Sequence, residues 1–170
     1  MNCILYVFTG EEIAVTRFAP DRPVQFKIGF EVDSDIFLCG LSLALNRLAR
    51  VTLDLRVTEI GRVNDEKVIF RSSYTVTNQT DSDSVKILFQ RPVMLRRYES
   101  LGTYYQILAS NIKGSGSAPQ VKSPWHNRNC TIIRDGADSE GKFVKPVKFT
   151  IHGSDGNHGY TELFYHTIRP

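Results

Sequence analysis

The sequence predicts an all-β protein with the architecture of an antiparallel β-sandwich, and three observations support that prediction. Several short runs carry apolar residues at every second position, which is the period of a β-strand with one buried face. Turn-forming residues separate these runs. The length of 170 residues and an apolar fraction of 41% suit one domain, spanning residues 1–170, with a single core.

The clearest predicted strands lie at residues 24–32 and 51–57, where apolar positions alternate with other residues throughout. Further strands are predicted at residues 105–109, 147–151 and 163–165. Residues 42–51 fit two structures. Leu41, Leu45 and Leu48 have the spacing of a helical stripe, but a strand followed by a loop is equally consistent.

Residues 85–114 form the most informative stretch, because they predict two strands joined by a polar turn. Proline cannot donate a hydrogen bond to a neighbouring strand, so Pro92 belongs at an edge, a bulge or a strand start. Residues 85–90 and 93–95 are therefore predicted to form one interrupted strand. In the second strand Tyr104 and Tyr105 are adjacent, so one ring points inward and the other outward. The Gly/Ser-rich residues 113–117 that follow are predicted to be a flexible loop.

No residue pattern indicates a catalytic, metal or cofactor site. The spacings of His152, His158 and His166 fit no zinc motif, and His152 and His158 are predicted to be exposed residues flanking a glycine-rich hairpin turn. A Cys130 nucleophile activated by His126 is an alternative, but no third group can be assigned to orient the base. The sequence therefore predicts a protein without enzymatic activity.

Charge and cysteine content narrow the partners and the compartment. A formal net charge of +3 with scattered basic residues gives no reason to expect nucleic-acid binding. No apolar run approaches the roughly 20 residues that span a bilayer. The three cysteines show no pairing pattern, and Cys39 lies in an apolar run, where it is expected to be a small core residue. These features favour the cytoplasm, and there the glycosylation pattern at Asn78 is a chance match.

Several of the predicted elements occur in an order that resembles one family. The residues that carry the resemblance are Arg17-Phe18, Phe26-x-Ile28-x-Phe30-x-Val32, Ile36-Phe37-Leu38-Cys39-Gly40, Phe89-x-x-Pro92-Val93-x-Leu95, Tyr105 through Ala109 to Lys113-Gly114, and Glu162-Leu163-Phe164-Tyr165. This order resembles the PHR domain of Pam/Highwire-type ubiquitin ligases and of BTB-domain adaptor proteins, over about residues 17–166. The sequence departs from the family pattern at residues 19–23, at residues 43–45 and after Gly114.

The resemblance implies a jelly-roll-like β-sandwich that binds a protein partner and recruits it to a ubiquitin-ligase assembly. Recognition is then expected in loops at one end of the sandwich. The partner-binding residues predicted on this basis are Lys113, Ser115, Ser117, Trp125, His126, Asp155, Asn157 and His158.

Two alternatives to this interpretation remain open at the level of sequence. Trp125 is either a surface anchor for the partner or a core residue contributed by a loop. The whole domain is alternatively a carbohydrate- or small-ligand-binding jelly roll, in which Trp125 and Tyr104 stack on a sugar.

Overall fold

The computed structural model describes residues 4–7, 11–63, 65–98, 102–122, 131–133, 147–152 and 158–168. Every element in these ranges is a β-strand, and no helix there is long and apolar enough to cross a membrane. The strands are β1 (Ile4–Val7), β2 (Glu11–Arg17), β3 (Val24–Val32), β4 (Ile36–Ala44), β5 (Arg50–Ile60), β6 (Glu66–Thr77), β7 (Ser84–Leu95), β8 (Tyr104–Ser115), β9 (Ser117–Lys122), β10 (Thr131–Ile133), β11 (Phe149–His152) and β12 (Tyr160–Thr167).

Two five-stranded antiparallel sheets form the sandwich, which confirms the predicted fold class. The front sheet has the order β10-β1-β12-β4-β7, and the back sheet has the order β11-β3-β8-β5-β6. Strands β2 and β9 pair separately as a two-stranded ribbon. The alternating apolar residues predicted to face the core do so, because Phe30, Leu55 and Ile107 of the back sheet and Leu163 of the front sheet are fully buried.

Aromatic contacts join the two sheets. Phe149 of the back sheet lies edge-on to Tyr165 of the front sheet, with ring centroids 5.3 Å apart. Strands β6 and β7 are the last strands of their sheets on the same side, and there Phe70 stacks on Phe89 at 4.7 Å. Such offset contacts contribute beyond their buried area, so one continuous core holds the two layers together.

The hydroxyl of Tyr160 connects the layers at a point where a ladder is interrupted. The pairing of β3 with β8 shifts register between Val24 and Phe26. Tyr160, fully buried on β12, donates to the Phe26 carbonyl at 2.7 Å and accepts the Ala109 amide at 3.0 Å. Burial strongly raises the pKa of this phenol, so it stays protonated and able to donate.

Residues 85–114 form two strands as predicted, but these strands do not pair as a hairpin. Strand β7 pairs with β4 in the front sheet, whereas β8 pairs with β3 and β5 in the back sheet. Each strand is apolar on one face, and the two faces meet across the core instead of lying side by side. Just after β7 ends, the Arg96 backbone amide donates to the Tyr105 hydroxyl at 2.7 Å, which joins the two strands across the sandwich.

The environment of Pro92 agrees with the predicted interrupted strand. Strand β7 has β4 as its neighbour in the front sheet and lies at the edge, and Pro92 falls inside a register shift. On one side of the shift Leu38 pairs with Val93, and on the other Gly40 pairs with Leu88. A Cβ atom on Gly40 would lie 2.4 Å from the Ile87 carbonyl oxygen, so the shift requires glycine there.

The ambiguous residues 42–51 end one strand and begin the next. Strand β4 ends at Ala44, and a turn leads to β5 at Arg50. The buried Asn78 fixes this turn, because its side-chain amide donates to the Leu45 carbonyl at 2.8 Å and to the Ser82 carbonyl at 2.7 Å.

The expectation that Cys39 is a core residue is wrong. Its side chain is only partly buried, and its thiol donates to the Phe37 carbonyl at 3.5 Å. Cys39 lies within the register shift of β4, where alternation no longer determines which face a residue occupies.

Candidate partner-binding site

Four of the residues predicted to contact a partner lie near one end of the sandwich. Lys113 and Ser115 belong to β8, Ser117 begins β9, and His158 precedes β12. Ser115 pairs with Arg50 at the start of β5, which marks this end of the back sheet. The other predicted contact residues, Trp125, His126, Asp155 and Asn157, lie outside the described residues.

The prediction of a flexible loop at residues 113–117 is wrong, because this segment is strand apart from Gly116. The backbone amide of Ser117 donates to Asn46 Oδ1 at 2.6 Å, and the backbone amide of Asn46 donates to the Ser117 carbonyl at 2.9 Å. The Phe18 amide donates to the Gly116 carbonyl at 2.9 Å. Lys113 and Ser115 are therefore exposed side chains on a fixed backbone.

The prediction that His158 is an exposed hairpin residue is also wrong. Strand β11 belongs to the back sheet and β12 to the front sheet, so these two strands do not pair as a hairpin. His158 is 2% exposed, and its Nδ1 atom accepts the Tyr160 amide at 3.1 Å. Burial lowers its pKa to about 4. The neutral ring with its proton on Nε2 is the form that this geometry accommodates.

Lys113 lines a polar cleft of about 570 Å³ on the outer face of the back sheet. We call this the Asp54 cleft; it is lined by Thr52, Leu53, Asp54, Ser73, Tyr74, Thr75, Asn111 and Lys113. The Asp54 carboxylate accepts a hydrogen bond from Ser73 Oγ at 2.7 Å and one from Asn111 Nδ2 at 2.9 Å. The cleft thus places a carboxylate, an amide, hydroxyl groups and an ammonium group beside one another.

A β-bulge places Asn111 in this cleft. The pairing of β5 with β8 shifts register between Thr52 and Asp54, and Asn111 lies within the shift with φ of 51°. Asparagine tolerates this left-handed backbone better than most residues. The bulge turns its amide towards Asp54. Bulges and left-handed residues of this kind are enriched at functional sites.

The electrostatics of the cleft keep Asp54 ionised. The pKa of this carboxyl is held below its ordinary value, first by the hydrogen bond from Asn111, then by the hydrogen bond from Ser73, and also by the positive charge of Lys113. Burial opposes this shift, because the Asp54 side chain is partly buried. The cleft therefore presents a negative and a positive group that are both available to a bound molecule.

A second cleft, of about 560 Å³, lies at the other end of the sandwich. It is lined by Glu31, Val32, Asp33, Arg97, Tyr98, Lys148 and Thr150. Beside it the His152 ring stacks on Tyr104 at 4.6 Å, and His152 Nε2 lies 2.7 Å from Glu31 Oε2. Tyr105 is buried and Tyr104 points outward, as the sequence predicts. One face of the Tyr104 ring is therefore covered by His152.

Within the described residues, no group of three or more His, Cys, Asp or Glu side chains could hold a metal ion. Cys130 and His126, the alternative catalytic pair, lie outside these residues. The enzyme alternative therefore remains a hypothesis.

Sequence reasoning did not single out Asp54, Ser73 or Asn111. Alternation in β5 places Asp54 on the outer face, but nothing in the sequence shows which residues of β6 and β8 lie beside it. The only local signal is the asparagine, since Asn often marks a left-handed position.

Comparison with known proteins adds no relative: no protein-family model matches the chain, and no curated protein matches it significantly.

Proposed function

We propose that this protein is a non-enzymatic, cytoplasmic interaction domain of the PHR type that recruits a protein partner to a ubiquitin-ligase assembly. The observation that carries the proposal is the position of Lys113, a predicted contact residue, beside the ionised Asp54 in a cleft on a rigid sheet. The proposal includes the finer fold assignment, a jelly-roll-like arrangement of the sandwich.

The cleft suits recognition of a polar protein segment. Asp54 accepts hydrogen bonds from a partner's lysine, arginine or backbone amides, while Lys113 binds a carboxylate or a carbonyl. Because Lys113 is exposed and Asp54 is partly exposed, they contribute more to specificity and association rate than to raw affinity. The fixed β8 backbone lowers the entropic cost of binding relative to a flexible loop.

The residues that carry the family resemblance support the fold assignment more than the site. Phe26, Ile28 and Phe30 are buried in the core, and Pro92 lies on the edge strand. In the cleft, Lys113 belongs to the last matching run before the sequence departs from the family pattern after Gly114, whereas Asp54 and Ser73 lie outside the matching runs. We therefore expect the specificity of this protein to be its own.

The test uses affinity capture from cytosolic extract with four baits: the wild-type chain, Lys113→Glu, Asp54→Asn and Arg62→Glu. Arg62 is exposed in the β5–β6 turn, at the opposite end of the back sheet, and serves as a charge-reversal control. We expect one set of proteins, including ubiquitin-ligase components, to be retained by the wild type and by Arg62→Glu. Recovery of this set is expected to fall about tenfold with Lys113→Glu.

Two results would contradict the proposal. If all four baits retain the same proteins in the same amounts, the Asp54 cleft is not the binding site. If the retained set contains no component of a ubiquitin ligase, the recruitment role is wrong even where binding through the cleft is real.

Carbohydrate binding is the second candidate function, and the lining of the Asp54 cleft favours it. Sugar hydroxyls are bound by carboxylate, amide and hydroxyl groups such as Asp54, Asn111 and Ser73. A glycan array separates the two candidates. A glycan that binds the wild type and loses binding with Asp54→Asn supports a sugar site, whereas no binding across the array rejects it.

A further inference from the structure

Part of the outer face of the front sheet, on strands β12, β4 and β7, is apolar. Three large apolar side chains on this face are well exposed: Phe37 at 37%, Met94 at 44% and Leu88 at 57%. Phe164 lies beside them and is partly exposed. The corresponding face of the back sheet carries the polar groups of the Asp54 cleft. Several large apolar side chains grouped on one face mark an interaction surface more often than scattered single ones do.

These side chains lie in two rows across strands β12, β4 and β7. In the first row His166, Phe37 and Met94 pair directly. In the second row Gly40 lies between Phe164 and Leu88, and the Leu88 side chain packs over the position that a Gly40 side chain would take.

A third row on the same face is polar and carries one charge of each sign. Glu162 pairs with Ser42, and Ser42 pairs with Lys86 on the other side. Ser42 Oγ donates to Glu162 Oε1 at 3.0 Å. The Lys86 ammonium lies 4.3 Å from the centre of the Phe164 ring. The acid and the base therefore occupy opposite sides of β4 at the same height.

We propose that this face binds a second copy of the chain, with a two-fold axis running parallel to β4 between the copies. Such an axis places β7 of each copy opposite β12 of the other and leaves the heights along the strands unchanged. Lys86 then faces the second copy's Glu162, and Leu88 faces its Phe164. Phe37 faces its own counterpart.

The arrangement of charges selects this occupant. In an isologous interface each group must meet its complement on an identical surface. The Glu162–Ser42–Lys86 row meets that requirement twice, giving two ion pairs side by side at one end of the contact, next to the apolar rows. Sheets stacked in this aligned manner keep their strands within about 30° of each other, which leaves the facing rows in contact.

The size of the face determines how strong the dimer is. Strands β12, β4 and β7 overlap about this axis; three strands at about 4.8 Å spacing and six residues at about 3.3 Å rise give a footprint of about 14 by 20 Å, or about 280 Å². The two copies together bury about 560 Å², which is the size of a weak, transient interface. Dimerisation is therefore expected only near about 1 mM.

This inference goes beyond the proposed function and uses a different surface, so either can fail without the other. The test measures molar mass by sedimentation equilibrium from about 10 µM to about 1 mM. We expect Lys86→Glu to raise the dimer dissociation constant at least tenfold, because it places two acids opposite each other. The double variant Lys86→Glu with Glu162→Lys restores opposite charges, and we expect its constant within threefold of the wild type.

Two further variants complete the experiment. Leu88→Ser, on the exposed edge strand, is expected to abolish the dimer, and Arg62→Glu is expected to leave it unchanged. A melting temperature within a few degrees of the wild type shows that each variant is folded. A wild-type chain that stays monomeric at about 1 mM overturns the proposal. So does a dimer that Lys86→Glu and Leu88→Ser leave intact, or one that the double charge reversal does not restore.

Discussion

Replacing Tyr160 by phenylalanine is expected to destabilise the fold through the loss of one oxygen atom. That hydroxyl donates to the Phe26 carbonyl at 2.7 Å and accepts the Ala109 amide at 3.0 Å, at a site with no exposure to water. Without it, one buried N–H and one buried C=O lose a partner, and each such loss costs about 1–3 kcal/mol. We therefore expect the free energy of unfolding to fall by about 3 kcal/mol.

The assay is urea unfolding followed by circular dichroism, with thermal unfolding as a second measure. For a domain of this size a loss of 1 kcal/mol lowers the melting temperature by about 2–4 °C, so Tyr160→Phe is expected to lower it by roughly 6–12 °C. Tyr165→Phe removes one partner, the acceptor of the Val147 amide at 3.2 Å, and we expect about half the effect. Tyr98→Phe, at an exposed position, is the matched control.

The reasoning is refuted if Tyr160→Phe lies within about 0.5 kcal/mol of the wild type. It is equally refuted if Tyr98→Phe is as destabilising as Tyr160→Phe, because a buried bond between the sheets would then be no different from a surface hydroxyl.

Three further predictions concern pH, a close backbone contact and the tryptophan. Because burial lowers the pKa of His158 to about 4, only the unfolded chain takes up its proton below about pH 6.5, so stability is lost as the pH falls towards 4. Urea titrations are expected to show about 2 kcal/mol of this loss between pH 7.5 and pH 5, absent in His158→Asn. A Cβ atom on Gly114 would lie 2.0 Å from the Arg50 carbonyl oxygen, whereas one on Gly61 meets nothing closer than 3.8 Å. Gly114→Ala is therefore expected to lose more than about 2 kcal/mol, and equal stability of Gly114→Ala and Gly61→Ala would contradict this contact. Trp125→Ala is expected to weaken partner capture without lowering the melting temperature, and a large drop would make Trp125 a core residue.

The two candidate surfaces lie on opposite faces of the sandwich, and different irregularities of the strands form them. A bulge with a left-handed Asn111 assembles the Asp54 cleft. On the front sheet, by contrast, Gly40 and the register shift around Pro92 position Leu88 beside Phe164. Bulges often re-aim side chains at functional sites. A partner bound in the cleft leaves the apolar face open, so recruitment and dimerisation are compatible.

The alternation of apolar residues was enough to predict several strands, among them β3 and β5, with their buried faces, but it did not predict β2, β6 or β9. Residues 24–32 and 51–57 carry this signal over their whole length, and the fold class follows from it. The position of Pro92 was equally predictable, because the missing N–H of proline is a local property. The signal is missing where a run is apolar without alternation, and for that reason Cys39, which lies in such a run, was wrongly assigned to the core.

The tertiary structure alone decided which strands pair and which side chains meet. A strand with one apolar face pairs either with the next strand along the chain, as a hairpin, or with a strand that is distant in sequence. Its apolar face is the same in both cases, so local sequence does not distinguish the two. Residues 85–114 took the second arrangement, as did the strands on either side of His158, which is why that histidine is buried. The same reason applies to the Asp54 cleft, since contacts between β5, β6 and β8 arise from sheet order. Sequence thus determined the faces of the strands, and the folded chain determined their neighbours.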